Sequence, residues 1–372
     1  MTVHRIRIDH SRALAEEPGT GHNRWHPRIP PILHCDPGDE VVMGTRDALD
    51  SQIGPGSTAE QVANTDLSVV HPLTGPVHVE GAEPGDMLEV EIVDVEPVGG
   101  FGYTIQVPGF GFLRDDFPEP HIVRWDIDGG WTISADLPGV RIRGTPFMGV
   151  MGVAPSGELL ARVHAREQEL GERGGLVLPP DPDGATPYTD PVASEGLRTI
   201  PPRENGGNMD VKQMSAGTTV RFPVFVDGAL FSAGDAHFAQ ADGEACGTAI
   251  EIASSFSFRV RLRKGEAADS NVSDVHFTTR ADSHPHPAGH NRSYYATTGI
   301  CVDERGRQEA ENLNLAARNA LLNMIDHITR NHRFDRQQAY ALCSVAVDLK
   351  VSQLVDAPNV IVTAFLPTDI FV

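Results

Sequence analysis

The sequence is short of positive charge, sparse in cysteine and without any long apolar run. Lys and Arg number 30 against 51 Asp and Glu, a formal net charge of −21. Phosphate backbones and anionic membranes are bound through basic patches, so this balance argues against both partners. No stretch nears the ~20 apolar residues that a membrane span requires. The opening MTVHRIRIDHSRALAEEPG has no apolar centre of a secretory signal. Cys35, Cys246, Cys301 and Cys343 make no CxxC pair, so reduced thiols in a cytoplasmic protein are expected. Also absent are a GxSxG elbow, a Walker loop, a GxGxxG after a strand and an HExxH. Serine-hydrolase, nucleotide-binding and zincin chemistry each lose their usual signature.

What is present favours strands. With 37 Gly and 28 Pro in 372 residues the chain is rich in turns, which suits many short strands over long helices. VHRIRIDH alternates as an edge strand would, and VEGAEPGDMLEVEIVDVEP is a Pro-Gly-Asp turn feeding a strand with one wet face. DPGDEV repeats that design near residue 36, and VDGALFSAGD is a looser echo. Ser156 caps a predicted helix through about Leu170, and Asp335 caps another through about Val345. Between them, the apolar spacing of Leu313, Ala317, Leu321, Met324 and Ile328 predicts one long helix over about 309–331. The expectation is a mainly β, β-rich α+β fold of intertwined sandwich- or barrel-like units. Its parts are a β lobe at 1–170, a loop-rich connection at 171–206 and a β lobe with the long helix at 207–372.

The most concentrated chemistry is SAGDAHFAQADGEACGTAIEIA, residues 232–253. Within it Asp235 and His237 share a face if the segment is extended, since strand side chains alternate with period two. Asp242-Gly243 makes a turn that can bring Glu244 back toward them. Imidazole and carboxylates suit Zn²⁺ or a similar divalent ion, and an ion with an open position makes water reactive near neutral pH. The plainer reading is a polar hairpin whose Asp and His satisfy backbone donors, and spacing alone does not choose between the two. GHNRWHP holds His22 and His26, with prolines that oppose a helical pairing; a structural arm, with Trp25 packed and Arg24 in a salt bridge, is the plain reading there. His71, His78, Glu80 and Asp86 flank a further turn, with His78 and Glu80 on one face. HPHPAGH at 284–290 reads as a surface loop, and Cys246 as a buried core thiol.

Taken together, GHNRWHP, DPGDEV, HPLTGPVHVEGAEPGDMLEVEI, PFMGVMGVAP, PPRENGGNMDVK, FPVFVDGALFSAGDAHFAQADGE and SQLVDAPNVIVTAFLP follow one another in an order that resembles the acetamidase/formamidase family. The resemblance implies hydrolysis of short aliphatic amides to a carboxylate and ammonia by a homo-oligomer with a mainly β fold. Carried over by position, it implies a polar core of Asn208, Asp210, Asp235, His237, Gln240, Asp242 and Glu244. His22, Trp25, His71 and Glu80 fall in matched blocks and are expected to contact substrate. The expected mechanism places a divalent ion, zinc by its donor types, among His237, Asp235, Glu244 and Asp210. Glu244 or Asp242 would relay a proton, and Asn208 or Gln240 would bind the oxyanion. The sequence departs from the family at Ala241, where glycine is usual, and it matches poorly over 264–295 and part of 98–145. Those departures leave room for another C–N substrate, such as a ureido compound or a cyclic imide. A non-catalytic metal- or ligand-binding β protein is the remaining alternative.

Overall fold

The structure, a computed structural model, describes residues 1–279 and 292–372. HPHPAGH lies outside those residues. Among the described residues no helix is long and apolar enough to cross a membrane.

The alternating segments form strands because one face of each can be buried. In Ser254–Arg263, Phe256, Phe258 and Val260 are fully buried while Ser255, Ser257 and Arg259 are half-buried on the other side. This strand lies between Glu40–Thr45 and Met87–Pro97, pairing antiparallel with both; Phe258 stands opposite Val41 and Ile92. Val3–Ile6 closes one edge of the sheet and, beyond Thr219–Pro223, His276–Thr278 closes the other. On the wet face Arg259 meets Glu40, Arg261 meets Glu91, and Arg221 and Arg263 share Glu89. Cross-strand charge pairs of this kind are individually worth only about 0.2–1 kcal/mol.

A larger sheet packs against the first. Its main path runs Arg141–Arg143, Trp131–Ile133, His121–Asp128, Phe101–Gln106, Glu251–Ile252, Phe231–His237, Phe147–Gly152 and Gly206–Asn208. Phe222 and Phe258 of the first sheet meet Phe231 of the second, edge to face or tilted, at 5.7 and 5.0 Å. A third sheet of Tyr294–Gly299, Ile361–Pro367 and Asp348–Gln353 carries the long helix on one side. All three sheets contribute to one apolar cluster that includes Val90, Met148, Ile325 and Leu366.

The helices begin where side-chain caps permit. Ser156 Oγ accepts from the Leu159 amide ahead of Gly157–Glu172. Asp335 does the same for Gln338, whose side chain returns the bond, ahead of Arg336–Ala346. Each cap is worth about 1 kcal/mol. The long helix spans Leu313–His332, starting later than the apolar spacing implies, because Asn312 supplies the cap to Leu315. Glu309 instead donates its amide to the Cys301 carbonyl, outside the helix.

The strand Phe231–His237 changes partners partway along one edge. From Phe231 to Gly234 that edge pairs with Leu73–Val79, and from Ala236 it pairs with Glu251–Ile252. Asp235 sits at the changeover with φ of 56°, in the left-handed region. The kink parts the neighbouring strands and opens the sheet there.

Candidate active site

Above that opening lies a cavity of about 510 Å³. Its floor is polar, with His71, Asn208, Asp210, Asp235, His237, Glu244 and Glu251; its walls include Leu49, Val70, Ile105, Ile200 and Met209. Phe110, Phe112 and Leu176 stand at the mouth, 41, 38 and 76 % exposed.

Strand register assembles the floor. His237 pairs with Phe147 on one side and Glu251 on the other, and Val150 pairs with both Gly234 and Asn208. Gly149 therefore lies opposite Asp235, and its carbonyl accepts from the amides of Met209 and Asp210. A Cβ on Gly149 would stand 2.6 Å from Asp210 Oδ1 and 2.8 Å from Asp235 Oδ2. Only a residue without a side chain lets the two carboxylates approach here. Asp210, Asp235 and Glu244 all have positive φ, of 48°, 56° and 39°. Left-handed non-glycine residues cost about 1–3 kcal/mol each and gather at functional sites.

His237 is held from both ends. Gln240 Nε2 donates to the Asp210 carbonyl (2.7 Å), which fixes the amide so that Oε1 accepts from His237 Nδ1–H (2.8 Å). Nε2 then faces Glu251 Oε2 at 3.1 Å and Asp235 Oδ1 at 3.3 Å. Burial disfavours an imidazolium, but Glu251 and Asp235 together overcome it and raise the His237 pKa well above its usual value. Burial likewise works against an ionised Asp235, yet His71 and His237 hold its carboxyl below the ordinary range. Withdrawal from water pushes Glu251 up to about 8, against the pull of His237. Desolvation raises Asp210 to about 6, helped by Asp235 and opposed by His237. Desolvation and then the neighbouring Asp210 raise Glu244 well above its usual value. Asp210 and Glu244 each bring a carboxyl oxygen within 4.8 Å of the other, and two carboxyls this close and this buried do not readily both ionise.

The donor set suits a divalent ion. Asp210, His237 and Glu244 bring one potential ligand atom each within 4.8 Å of the others, as do Asp235, His237 and Glu251. Among the described residues, Asn208 Oδ1 and Asp210 Oδ1 are buried without a hydrogen-bond partner, and Glu251 Oε2 has only the His237 imidazole. Orphaned oxygens beside an imidazole are a fitting environment for zinc or a similar borderline cation.

The structure thus gathers Asn208, Asp210, Asp235, His237, Glu244 and His71 at the cavity, with Gln240 behind His237. Asp242 is directed elsewhere: it accepts from Gln213 Nε2 at 3.0 Å, and Lys212 Nζ lies 3.7 Å away. His22 is buried against Ser232 Oγ at 2.8 Å and meets the Trp25 ring edge to face. Burial takes the His22 pKa down to about 4, so it stays neutral, and neither it nor Trp25 lines the cavity. Arg24 is fully buried and donates to the carbonyls of Asn23, Ser68, Asp181 and Asp183; among the described residues it has no salt bridge, contrary to expectation. Glu80 is on the surface beside His34 and His78. Cys246 is a core thiol, raised to about 11 by burial. Sequence reasoning missed Glu251 and the mouth. The signal for Glu251 was a lone acid inside the apolar run TAIEIA, since an acid buried in a core strand needs a partner. Nothing in the sequence marks the mouth residues.

The acetamidase/formamidase family model matches residues 7–372. A formamidase from Methylophilus methylotrophus is 36% identical over 392 aligned positions, covering 98% of this chain and 93% of that protein. An acetamidase from Mycolicibacterium smegmatis is 38% identical, covering 90% of this chain and 87% of that one. Among solved structures, a gamma lactamase from Delftia acidovorans superposes with a TM-score of 0.93 at 37% identity, over 100% of this chain and 93% of the other. An acetamidase from Bacillus halodurans superposes with a TM-score of 0.56 at 27% identity, over 98% of this chain and 97% of the other.

Proposed function

Because this chain belongs to the acetamidase/formamidase family and is an amidase of linear amides, we propose that it hydrolyses a short, formamide- or acetamide-like amide with Asp210 and Glu244 as its proton-transfer pair. The observation that carries this reading is the close Asp210–Glu244 carboxyl pair on the polar floor of a cavity with apolar walls. With a pKa of about 6, Asp210 is the carboxylate of the two near pH 7, and Glu244 keeps its proton.

Amides resist hydrolysis through resonance, so water must be activated and the leaving nitrogen protonated. Asp210 takes a proton from water as its oxygen bonds to the carbonyl carbon. Glu244 gives its proton to nitrogen as the C–N bond breaks, releasing carboxylic acid and ammonia. The proton on Asp210 then passes to Glu244 within the pair and restores the starting state. Asn208 lines the same floor and leaves its buried Oδ1 unpartnered. That acceptor suits the amide NH₂ of the substrate, a different role from the oxyanion donor expected from sequence. In place of the protons on His237 Nε2 and the adjoining carboxyls, a divalent ion held by His237 with Asp210 and Glu244, or with Asp235 and Glu251, would supply Lewis acidity toward the carbonyl and toward water.

The test is ammonia release from formamide, acetamide and larger amides across pH. Turnover is expected to rise as pH passes about 6, where Asp210 ionises, and to fall at higher pH as Glu244 loses its proton. Asp210→Asn and Glu244→Gln should each reduce kcat by about 10²–10⁴, and Asp210→Asn should also abolish the limb near 6. An Asp210→Asn enzyme with normal turnover would remove the pair from the mechanism. Chelator treatment tests the ion separately: full activity of metal-free protein excludes a required metal.

A second reading has its own support. The cavity of about 510 Å³ is roomy and apolar for formamide, and the likeness to the Delftia structure is close along the whole chain. A lactam is an internal amide, and the same steps would open its ring to an amino acid. Adding a γ-lactam to the panel, with ring opening followed directly because no ammonia leaves, distinguishes the two.

A further inference from the structure

Away from the cavity, the larger sheet carries a group of side chains that the amide chemistry leaves unused. His34, on Leu33–Cys35, stands in parallel register opposite His78, on Leu73–Val79. Neighbouring strands are about 4.8 Å apart, and the two imidazoles follow that spacing with centroids 4.5 Å apart and planes inclined by 30°. Glu80, just past the end of the second strand, reaches both: His34 Nδ1 lies 2.9 Å from Oε1 and His78 Nε2 lies 3.8 Å from Oε2. All three potential ligand atoms fall within 4.8 Å of one another.

The backbone holds this arrangement in place. Gly228, at φ +75°, lies so close beneath His78 that a Cβ there would stand 2.0 Å from Nδ1. One ring nitrogen is therefore pressed against the main chain, and Nε2 is the one turned to Glu80. The Gly228 carbonyl accepts from the Val79 amide, tying that segment to the strand that carries His78.

We propose that His34, His78 and Glu80 bind a divalent transition-metal ion of the zinc or nickel type, at a site separate from the amide cavity. The two imidazoles are borderline donors, which favour zinc, nickel or copper over magnesium or calcium, and zinc accepts a carboxylate beside them. Zinc bonds of about 2.0–2.2 Å place tetrahedral donors about 3.3–3.6 Å apart. Binding then needs a small opening of the His34–Glu80 contact, a small closing of the His78–Glu80 one, and a spacing of the two imidazole nitrogens that starts within 4.8 Å. Side chains of His34 and Glu80 are 58 and 51 % exposed, so water completes the coordination. The ion clamps Leu33–Cys35 to Leu73–Val79, and the latter strand also pairs with Phe231–His237. A ligand that binds only the folded state raises its stability by mass action, so the bound ion stabilises the sheet that bears the cavity.

Equilibrium dialysis of the intact chain against Zn²⁺, with metal analysis and thermal melting, tests the site. His34→Ala and His78→Ala should each retain one zinc fewer per chain than the parent and lose part of its zinc-dependent rise in melting temperature. Neither residue lines the cavity, so ammonia release from amides should be unchanged, which also shows that the variants are folded. Zinc content and melting shift equal to the parent in both variants would overturn the proposal. An equal melting shift with Mg²⁺ that disappears in the same variants would overturn the assignment to a borderline transition ion.

Discussion

Replacing His237 with alanine is expected to lower amide turnover by about a thousandfold, within the range for loss of a positioned proton-active group. The reason is electrostatic. The imidazolium offsets Asp235 and Glu251 and pulls down the pKa values of Asp210 and Glu244. Without it all four carboxyls rise, so Asp210 stays protonated at the pH where it should act as base. The residual activity should therefore show its rising limb shifted upward from about 6. Stability should fall as well, by about 3–5 kcal/mol for a broken buried pair. Melting curves of metal-free parent and variant check this; equal melting temperatures would contradict the buried-charge account.

Gly149→Ala should be nearly as damaging to catalysis while adding only a methyl group. The new Cβ would stand 2.6 Å from Asp210 Oδ1, 2.8 Å from Asp235 Oδ2 and 2.9 Å from the Asp235 carbonyl. That carbonyl belongs to a strand paired on both sides, so the carboxylates must move instead. A displacement of about 1 Å in a reacting group costs about 10²-fold in rate, and overpacking costs about 1–3 kcal/mol. The loss should fall on kcat rather than KM, because the mouth at Phe110, Phe112 and Leu176 is untouched. Gly157→Ala is the control, since a Cβ there meets nothing within 4 Å. A Gly149→Ala enzyme with parental kcat would show that the two carboxylates tolerate displacement.

How much of this was legible beforehand differs by residue. Asp235, His237 and Glu244 are close in sequence, and a strand followed by a Gly-containing turn is enough to suggest that they meet. Asp242 is in the same run and chemically as suitable, yet it is directed toward Gln213 and Lys212 while Glu244 lines the cavity. Backbone angles at Gly243 (φ 108°) and Glu244 (φ 39°) settle that choice, and no local pattern encodes them. His22 and Trp25 drew notice by composition, but packing makes them a buried support beside Ser232. Glu80 was read correctly as sharing a face with His78, and that face turned out to be the outer surface.

By itself the sequence determined the mainly β character, the caps at Ser156 and Asp335, and the concentration of acid and imidazole around residue 237. Those features rest on neighbours within a few positions, where alternation, turn chemistry and side-chain capping act directly. Only the tertiary structure decided that Gly149, Asn208, Asp210 and Glu251 join that run, because register between strands far apart in the chain sets which side chains face each other. It also decided their protonation, since a carboxyl acquires a shifted pKa only when burial and neighbouring charges act on it together.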